Sequence, residues 1–320
     1  MIPVTPTVLA KRLGHSVPTL ENLAQIVQSG PSDDSYRLVR GDRELRVPTP
    51  QLKVELLPVA EYLRASLPRP AEHVHGFVKK KSILTNAKEH LGAPVVLRLD
   101  LRNFFASIQS DMVHAALTKH ASFTDDAAHL LVAVCVPEGR LPLGFSTSPA
   151  LSNLVFDETD RALETWASAN HVALTRYVDD IAVSGHVDDR HLEDLTGILN
   201  EHHWVLNETK TLFMRRGRSQ YVTGLSVSDP LQARVPRALK RRMRAKLFLM
   251  EKHGFDAYMK SFGGDDRGEC PQQLLGHARY IAMVEPKLGG MLLRRFSLAI
   301  EESAYAGDPE EGWEAWALDL

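Results

Sequence analysis

Two adjacent carboxylates, Asp179 and Asp180, lie in LTRYVDDIAVSG between apolar runs that predict buried strands. Adjacent carboxylates repel each other and resist burial, so they need a compensating partner, most simply a divalent cation. A third acid, Asp100, ends the apolar run VVLRLD. If all three meet at one sheet edge, they can hold two metal ions about 3.5–4 Å apart, which serve an in-line displacement of pyrophosphate by a hydroxyl. The acids therefore indicate nucleotidyl transfer.

Each of these residues also has an ordinary structural interpretation. Asp-Asp pairs are common in turns, and Asp100 can cap the helix that follows its strand. Phe104, after Asp100, can belong to the core. The joint occurrence of the acids in order favours catalysis over these alternatives.

Strand-like and helix-like segments alternate between residues 95 and 230. The strand-like ones are PVVLRLDL, VALTRYV, DIAVSG and YVTGLSV, and the helical ones are SDMVHAALTKHA, TDDAAHLLVAVC, SPALSNLVFDETDRALETWASAN and RHLEDLTGILNEH. Mixed strands and helices around a small sheet predict an α+β fold.

The flanking regions have simpler patterns. A helix is predicted over TLENLAQIVQSG, capped by Thr19, and a hairpin over YRLVRGDRELRVPTP about Gly41-Asp42. QLKVELLPVAEYLRASLP has helical spacing broken by two prolines, and the pattern from residue 236 onward is helical.

Composition fits an ordinary globular protein of 320 residues, with 44% hydrophobic residues and a formal net charge of −2. The charge is uneven: residues 301–320 hold seven acids and no Lys or Arg, so residues 1–300 carry 38 minus 33, or +5. Cys135 and Cys270 have no disulfide-framework or zinc-ligand spacing. Without a signal peptide or a spanning apolar run, we expect a cytoplasmic protein with no membrane partner.

Seven motifs in order make the chain similar to reverse transcriptases, and among them to the bacterial retron type, over about residues 40–230. They are RVPTPQLK, HGFVKKKSILTNAKEH, RLDLRNFFASI, LPLGFSTSPALSN, RYVDDIAVSG, LNETKT and YVTGLSV. Asn86-Ala87-x-x-His90 and Val222-Thr223-Gly224 carry the retron part of the resemblance.

The resemblance implies a right-hand polymerase with fingers, an antiparallel palm sheet with helices, and a helical thumb. The expected regions are 1–95 for N-terminal helices and fingers, 96–235 for the palm with interleaved fingers segments, and 236–320 for the thumb and acidic tail. It also implies an RNA-directed DNA polymerase that uses dNTPs and two Mg²⁺ ions per active site.

The resemblance also implies roles for residues near the reacting groups, according to their positions in the motifs. Asp100, Asp179 and Asp180 are expected to be catalytic metal ligands, with the carbonyl of Leu101 available to one ion. Phe105 stands where the family places a bulky gate that would clash with a ribonucleotide 2′-OH.

The basic and glycine positions of the motifs have further expected roles. Lys81 can neutralise triphosphate charge, or belong with Lys79 and Lys80 to a solvated charge run. Lys210 can donate a proton to pyrophosphate, or be a surface lysine on a turn. Gly144 suits close backbone approach to template or nucleotide.

RNA contacts are expected in two places. Asn86 and His90, at i and i+4, can bind structured RNA or tie the fingers to the palm by hydrogen bonds. RALKRRMRAKL at 237–247 can pack an apolar stripe on the thumb and offer Lys240, Arg241 and Arg244 to a phosphate backbone, or present a solvated basic face.

The template motif departs from the family pattern, since Leu143 replaces the usual Gln before the glycine and Phe145 a smaller residue. This puts substrate selectivity or processivity in doubt. The retron resemblance implies priming from a 2′-OH of a cognate structured noncoding RNA, copying into branched RNA-linked multicopy single-stranded DNA, and anti-phage defence with an effector protein. The alternatives are another bacterial defence reverse transcriptase and a noncatalytic RNA-binding scaffold.

Overall fold

The computed structural model describes residues 3–41, 44–262 and 270–301. The chain divides into two compact units, Met1–Arg218 and Ser219–Leu320. The three expected regions, 1–95, 96–235 and 236–320, stay a prediction. Asp42 of the expected hairpin turn and the acidic tail beyond residue 301 lie outside the described residues. Within the described ranges, none of the helices is long and apolar enough to cross a membrane.

The first unit mixes helices with two separate sheets. Its elements are α1 (Pro6–Leu13), α2 (Val17–Gln28), β1 (Tyr36–Arg40), β2 (Glu44–Pro48), α3 (Pro50–Ser66), α4 (Ile83–Lys88), β3 (Val95–Asp100), α5 (Phe104–Ser107), α6 (Ser110–His120), α7 (Asp125–Cys135), α8 (Ser148–Ala169), β4 (Ala173–Tyr177), β5 (Asp180–Gly185), α9 (Asp189–Glu201) and β6 (Leu212–Arg215). The predicted α+β fold class is confirmed.

A four-stranded antiparallel sheet forms the centre of this unit, in the order β4-β5-β3-β6. Its middle strands are apolar because both lie in the interior: Leu97 and Leu99 of β3, and Ile181 and Val183 of β5, are fully buried. Each strand of the middle pair ends or begins with an acid at the same end of the sheet.

Helix α8 packs its apolar face in this core. Phe156 of α8 lies in an aromatic cluster with Phe104 and Trp204, with ring centroids 4.7–5.7 Å apart. The indole N–H of Trp204 donates to Thr159 Oγ1 at 2.8 Å, so the polar atom of this buried ring has a partner. Phe104 therefore belongs to the core, which was its ordinary interpretation.

The structure corrects several details of the predicted elements. Helix α2 is capped by Ser16 rather than Thr19, and α3 continues through Pro58 instead of breaking there. Strand β6 was not predicted. YVTGLSV is not one strand but a tight hairpin, in which Thr223 and Gly224 both have positive φ, as a type I′ turn requires.

The second unit contains that hairpin and a helical bundle. Its elements are β7 (Tyr221–Val222), β8 (Leu225–Ser226), α10 (Arg237–His253), α11 (Phe255–Phe262), α12 (Pro271–Val284) and α13 (Pro286–Glu301). The expected apolar stripe of α10 is buried at Met243, Leu247 and Met250. Helices α12 and α13 approach closely at Gly289, where a Cβ would lie 2.1 Å from the backbone nitrogen of Ala282.

Candidate active site

The three acids lie together at one end of the four-stranded sheet. Asp100 is the last residue of β3 and Asp180 the first of β5, and the two are directly opposite in the antiparallel register. Asp179 precedes Asp180 in the β4–β5 turn, and its carbonyl accepts a hydrogen bond from the backbone N–H of Leu101 at 3.0 Å. Like charges directly opposite each other destabilise a sheet, so this arrangement needs a positive partner.

The β4–β5 connection that carries Asp179 is a two-residue hairpin. Tyr177 pairs with Asp180, which leaves Val178 and Asp179 as the turn. Val178 has φ 64°, a left-handed conformation that β-branched residues rarely adopt. Such backbone strain persists only where the surrounding structure fixes it, and it clusters at functional sites.

The buried side chain of Arg176 fixes this turn. Its Nη1 donates to the carbonyl of Val178 at 3.0 Å, while Nε and Nη2 donate to the two carboxylate oxygens of Asp160 at 2.7 and 2.6 Å. Nη2 also donates to Asn153 Oδ1 at 3.1 Å, and the guanidinium carbon lies 4.5 Å from the ring centroid of Phe156. The turn is thereby attached to α8.

The segment before α4 packs on the other side of the same turn. A Cβ at Gly76 would lie 2.4 Å from the backbone nitrogen of Val178, so only glycine fits there. The backbone N–H of His75 donates to the carbonyl of Arg176 at 2.8 Å, and Asn153 Nδ2 donates to the carbonyl of Gly76 at 3.1 Å. Hydrogen bonds therefore hold the acid-bearing hairpin from two directions.

Charge is concentrated around Asp180. Burial raises the pKa of this carboxyl, Arg98 opposes the rise from 3.8 Å, and the charges of Asp179 and Asp100 raise the pKa further. A nearby divalent cation favours the ionised form of such a carboxyl and relieves the repulsion. The possible metal ligands here are three carboxylates, and burial disfavours the ionised form of one of them. Such a set of oxygen ligands fits a hard divalent metal ion.

Asp100 is held by two side chains from the segment before β6. Lys210 Nζ lies 3.0 and 3.1 Å from its two carboxylate oxygens, and Asn207 Nδ2 donates to Oδ1 at 3.3 Å. The backbone N–H of Asn207 also donates to the carbonyl of Asp100 at 2.8 Å. The structure thus brings Lys210 to the carboxylate of Asp100, and its role as proton donor to pyrophosphate stays a prediction.

Phe105 lies five residues after Asp100 in the sequence and is half-buried. Its ring makes edge contacts with Phe104 and Phe77, at centroid distances of 5.4 and 6.3 Å. Phe77 is 48% exposed, so the pair Phe77–Phe105 leads from the core to the surface. The gate role of Phe105 stays a prediction.

Gly144 is exposed and has φ 124°. A Cβ there would lie 2.4 Å from the carbonyl oxygen of Arg46, and the N–H of Arg46 donates to the carbonyl of Leu143 at 2.8 Å. The close backbone approach expected at Gly144 is therefore made by β2 of the same chain. Its contact with template or nucleotide stays a prediction.

Lys81 is tied to its own loop. Its Nζ lies 3.0 Å from a carboxylate oxygen of Glu72 and also donates to the backbone carbonyl of that residue. Lys79 and Lys80 are exposed. A triphosphate role for Lys81 stays a prediction and requires that the Glu72 pair open.

Asn86 and His90 are both buried, which corrects the expectation that they contact nucleic acid. The ring nitrogens of His90 lie 2.7 Å from Ser184 Oγ of β5 and 2.7 Å from Thr175 Oγ1 of β4. His90 also lies beyond the end of α4, so the pair does not share one helical face. The structure supports the alternative role, a hydrogen-bonded tie between this loop and the sheet.

The second unit carries the expected basic helix. Arg237, Arg241 and Arg244 of α10 are exposed and line a cleft of about 480 Å³ together with Lys240. Lys240 Nζ lies 2.8 Å from Glu285 Oε1, so its charge is partly matched within the unit. The exposed arginines are suited to phosphates, and the nucleic-acid role of this helix stays a prediction.

Sequence reasoning missed the residues that brace the hairpin. Arg176 interrupts an apolar strand immediately before the acids, and a buried arginine needs a carboxylate partner. Asn153 and Asp160 are seven residues apart, so they lie on the same face of α8 among apolar residues. These two features were the available signals.

Residues 46–242 match the family described as reverse transcriptase (RNA-dependent DNA polymerase). Among curated proteins, the retron Mx162 and Mx65 reverse transcriptases of Myxococcus xanthus are 29% and 31% identical over 95% and 80% of this chain. The retron Ec86 reverse transcriptase of Escherichia coli is 29% identical over 54% of this chain. The matches span 68%, 61% and 54% of these three relatives.

Solved structures are also similar. Telomerase from Candida albicans in complex with a telomeric RNA fragment is 12% identical, with a TM-score of 0.47 over 83% of this chain and 63% of that one. A foamy viral protease-reverse transcriptase in complex with double-stranded DNA is 14% identical, with a TM-score of 0.42 over 83% of this chain and 42% of that one.

Proposed function

The chain belongs to the retron-type reverse transcriptases, with the right-hand polymerase fold of that family, and from this premise we propose that it is a magnesium-dependent RNA-directed DNA polymerase. The observation that carries the proposal is the meeting of Asp100, Asp179 and Asp180 at one sheet end. All three lie inside the matched residues 46–242.

The residues present fit two Mg²⁺ ions. Magnesium prefers carboxylate and carbonyl oxygens, and Asp100, Asp179 and Asp180 would supply carboxylates, with the Leu101 carbonyl as the backbone ligand that the resemblance implies. When bound, such ions supply activation of a primer hydroxyl and charge stabilisation of leaving pyrophosphate. The raised pKa of Asp180 supports this assignment, because burial and two like charges leave that carboxyl in need of a cation.

Other side chains of this chain position and protonate the substrate. Lys210 reaches the carboxylate of Asp100 and is suited to give a proton from Nζ to the leaving pyrophosphate. Phe105, at the position where the family places a bulky gate, excludes a ribose 2′-OH and so selects dNTPs. Arg176 keeps Asp179 and Asp180 in place through the Val178 carbonyl.

The proposed substrate is a structured noncoding RNA that serves as template and, through a 2′-OH, as primer. The product is then branched RNA-linked single-stranded DNA, and the enzyme acts with an effector protein in anti-phage defence. The similarity to three retron reverse transcriptases supports the RNA partner, and the exposed arginines of α10 offer it a phosphate-binding face.

The test compares the purified chain with Asp179→Asn/Asp180→Asn on a primed RNA template with dNTPs and Mg²⁺. The matched control is Glu193→Gln/Glu201→Gln, which removes two exposed carboxylates of α9. We expect the first variant to lose DNA synthesis, retain RNA binding, and differ from the control and wild type. Retained synthesis would overturn the metal assignment.

A second measurement addresses the RNA partner. Cells expressing the gene with its flanking DNA are extracted, and nucleic acid from wild type and the Asp179/Asp180 variant is compared before and after RNase and debranching treatment. A single-stranded DNA that requires both aspartates and shifts on debranching supports retron synthesis. An unbranched DNA favours another defence polymerase, and RNA binding without any DNA product favours a scaffold.

A further inference from the structure

A cluster with metal-ligand chemistry lies away from the three catalytic acids. It consists of His114 on α6 with Asp125 and His129 on α7, and one ligand atom from each lies within 4.8 Å of the other two. Asp125 and His129 are four residues apart and so share one face of α7. His114 faces them from the neighbouring helix.

The distances suit a tetrahedral ion. His114 Nε2 lies 3.1 Å from Asp125 Oδ1, and His129 Nε2 lies 3.4 Å from Asp125 Oδ2. Zinc bonds of about 2.0–2.1 Å in tetrahedral geometry place neighbouring ligand atoms about 3.3 Å apart. The two imidazole ring centroids are 4.2 Å apart, with 36° between the ring planes, and both Nε2 atoms contact the Asp125 carboxylate.

The direction of the contact favours a shared ion over a direct hydrogen bond. His114 Nε2 is buried and has no hydrogen-bond partner among the described residues, although Asp125 Oδ1 is 3.1 Å away. At that distance the oxygen must lie off the axis along which an N–H donates. In a metal site the ion occupies that axis, and the next ligand atom lies off it.

We propose that His114, Asp125 and His129 bind one Zn²⁺-class transition-metal ion that fastens α6 to α7. Two imidazoles and one carboxylate suit Zn²⁺, whereas Mg²⁺ prefers oxygen ligands alone. The side chains of Asp125 and His129 are 73% and 67% exposed, so the ion enters from solvent and water completes its coordination.

The ion adds a link between two helices that already pack in the same core, through Val113 and Leu117 of α6 and Leu131 of α7. Helices α6 and α7 are connected by residues 121–124, and Thr124 at the start of α7 donates its N–H to the carbonyl of Val4 at 3.0 Å. A metal link between residues 114 and 129 holds α7 against α6. Because the ion binds the folded chain, it raises the unfolding temperature.

The test uses the tag-free full chain carrying Asp179→Asn/Asp180→Asn, so that only Asp100 remains of the three acids expected to bind metal. After chelator treatment and dialysis, Zn²⁺ is titrated by calorimetry and Co²⁺ by visible absorption. The site variants are His129→Gln and Asp125→Asn. The control is His191→Gln, because His191 of α9 forms a 2.6 Å pair with the N-cap residue Asp188, and no third metal-ligating group joins them among the residues that the structure describes.

We expect one Zn²⁺ per chain, a tetrahedral Co²⁺ spectrum, and a rise in unfolding temperature on adding Zn²⁺. His129→Gln and Asp125→Asn weaken binding at least about 100-fold and remove that rise, while His191→Gln leaves both unchanged. Both altered side chains are exposed, and circular dichroism checks that the variants fold. Absent binding, or Zn²⁺ affinity that survives both variants, would overturn the proposal.

Discussion

Arg176 binds both carboxylate oxygens of Asp160, and both side chains are fully buried. Burial by itself raises the pKa of Asp160, but the charge and hydrogen bonds of Arg176, with those of His73, hold the pKa below its usual value. The same guanidinium donates to the Val178 carbonyl in the acid-bearing turn. One ion pair therefore links helix α8 to the catalytic hairpin.

Asp160→Asn is expected to lower the free energy of unfolding by about 3–5 kcal/mol, because it leaves a buried guanidinium without its counter-charge. Urea unfolding at neutral pH measures the change. The comparison variant is Glu158→Gln, which breaks an exposed pair between Lys119 and the same helix and should cost far less. If the two variants lost the same free energy of unfolding, the buried Arg176–Asp160 pair would not have the special importance for stability proposed for it.

Arg176→Met/Asp160→Leu separates stability from positioning. Removing both charges is expected to recover most of the stability lost in Asp160→Asn, since no unpaired buried charge remains. DNA synthesis should stay low in the double variant, because Val178 no longer receives its hydrogen bond. Full activity in the double variant would show that the hydrogen bond from Arg176 to the Val178 carbonyl is not needed for DNA synthesis.

His90 predicts a pH dependence of stability. Burial, and then the charge of His75, lower the pKa of His90 to about 3, whereas an unfolded histidine titrates near about 6.5. Below about pH 6.5, the unfolded chain binds a proton at this histidine that the native chain does not bind. The stability present above the unfolded pKa of about 6.5 is therefore lost as the pH falls towards the folded pKa of about 3. Between pH 7 and pH 5 the loss is about 2 kcal/mol.

Urea unfolding of wild type and His90→Gln at several pH values measures this loss. Glutamine keeps hydrogen-bonding capacity towards Ser184 and Thr175 but cannot titrate, so the pH slope should flatten. His186→Gln, an exposed residue after β5, should keep the wild-type slope. If the pH dependence of stability were the same in His90→Gln as in wild type, His90 would not be its cause.

The position of the three acids at one sheet end could be predicted because the signal of the Asp179-Asp180 pair is local. Adjacent carboxylates between apolar runs conflict with burial wherever they occur in a chain, and the conflict itself indicates a bound cation. The positions of Arg176 and His90 carry no such local signal. Arg176 needs Asp160 from a preceding helix, and His90 needs hydroxyls from two strands, so only tertiary packing distinguishes these buried side chains from exposed ones.

Strand β6 was missed for a related reason. Leu212–Arg215 is a short edge strand with a mixed burial pattern, and its partner β3 lies more than 100 residues earlier in the chain. Neither alternation nor length identifies such a segment. Continuity of α3 through Pro58 likewise depends on packing, since Leu56 and Val59 on either side are fully buried.

Gly144→Ala should destabilise the first unit by about 1–3 kcal/mol, because its Cβ would lie 2.4 Å from the Arg46 carbonyl oxygen. Gly217→Ala is the matched control: Gly217 also has positive φ, 91°, but nothing lies within 4 Å of its Cβ position. The difference between the two in urea unfolding isolates the contact with β2. Equal effects would mean that backbone strain alone fixes Gly144.

Phe105→Ala should admit ribonucleotides. Removal of the ring opens space at the expected gate position, and the preference for dNTP over rNTP, measured as a ratio of kcat/KM, is expected to fall by about 10–100-fold. Phe77→Ala is the control, since Phe77 contacts Phe105 but lies further towards the surface. Unchanged selectivity in Phe105→Ala would refute the gate.

Lys210→Met tests two roles with one titration. The Lys210 ammonium contacts both oxygens of Asp100, the same oxygens that a metal ion would use, so its removal should tighten the apparent Mg²⁺ affinity. If Lys210 also protonates pyrophosphate, the single-turnover rate at saturating Mg²⁺ should fall by about 10²–10⁴-fold. Lys210→Arg keeps the positive charge but is a poor proton donor, so it should restore wild-type Mg²⁺ affinity without restoring the rate. A Lys210→Met rate that returns to the wild-type value at saturating Mg²⁺ would leave Lys210 as a counter-charge for Asp100 and exclude it as the proton donor.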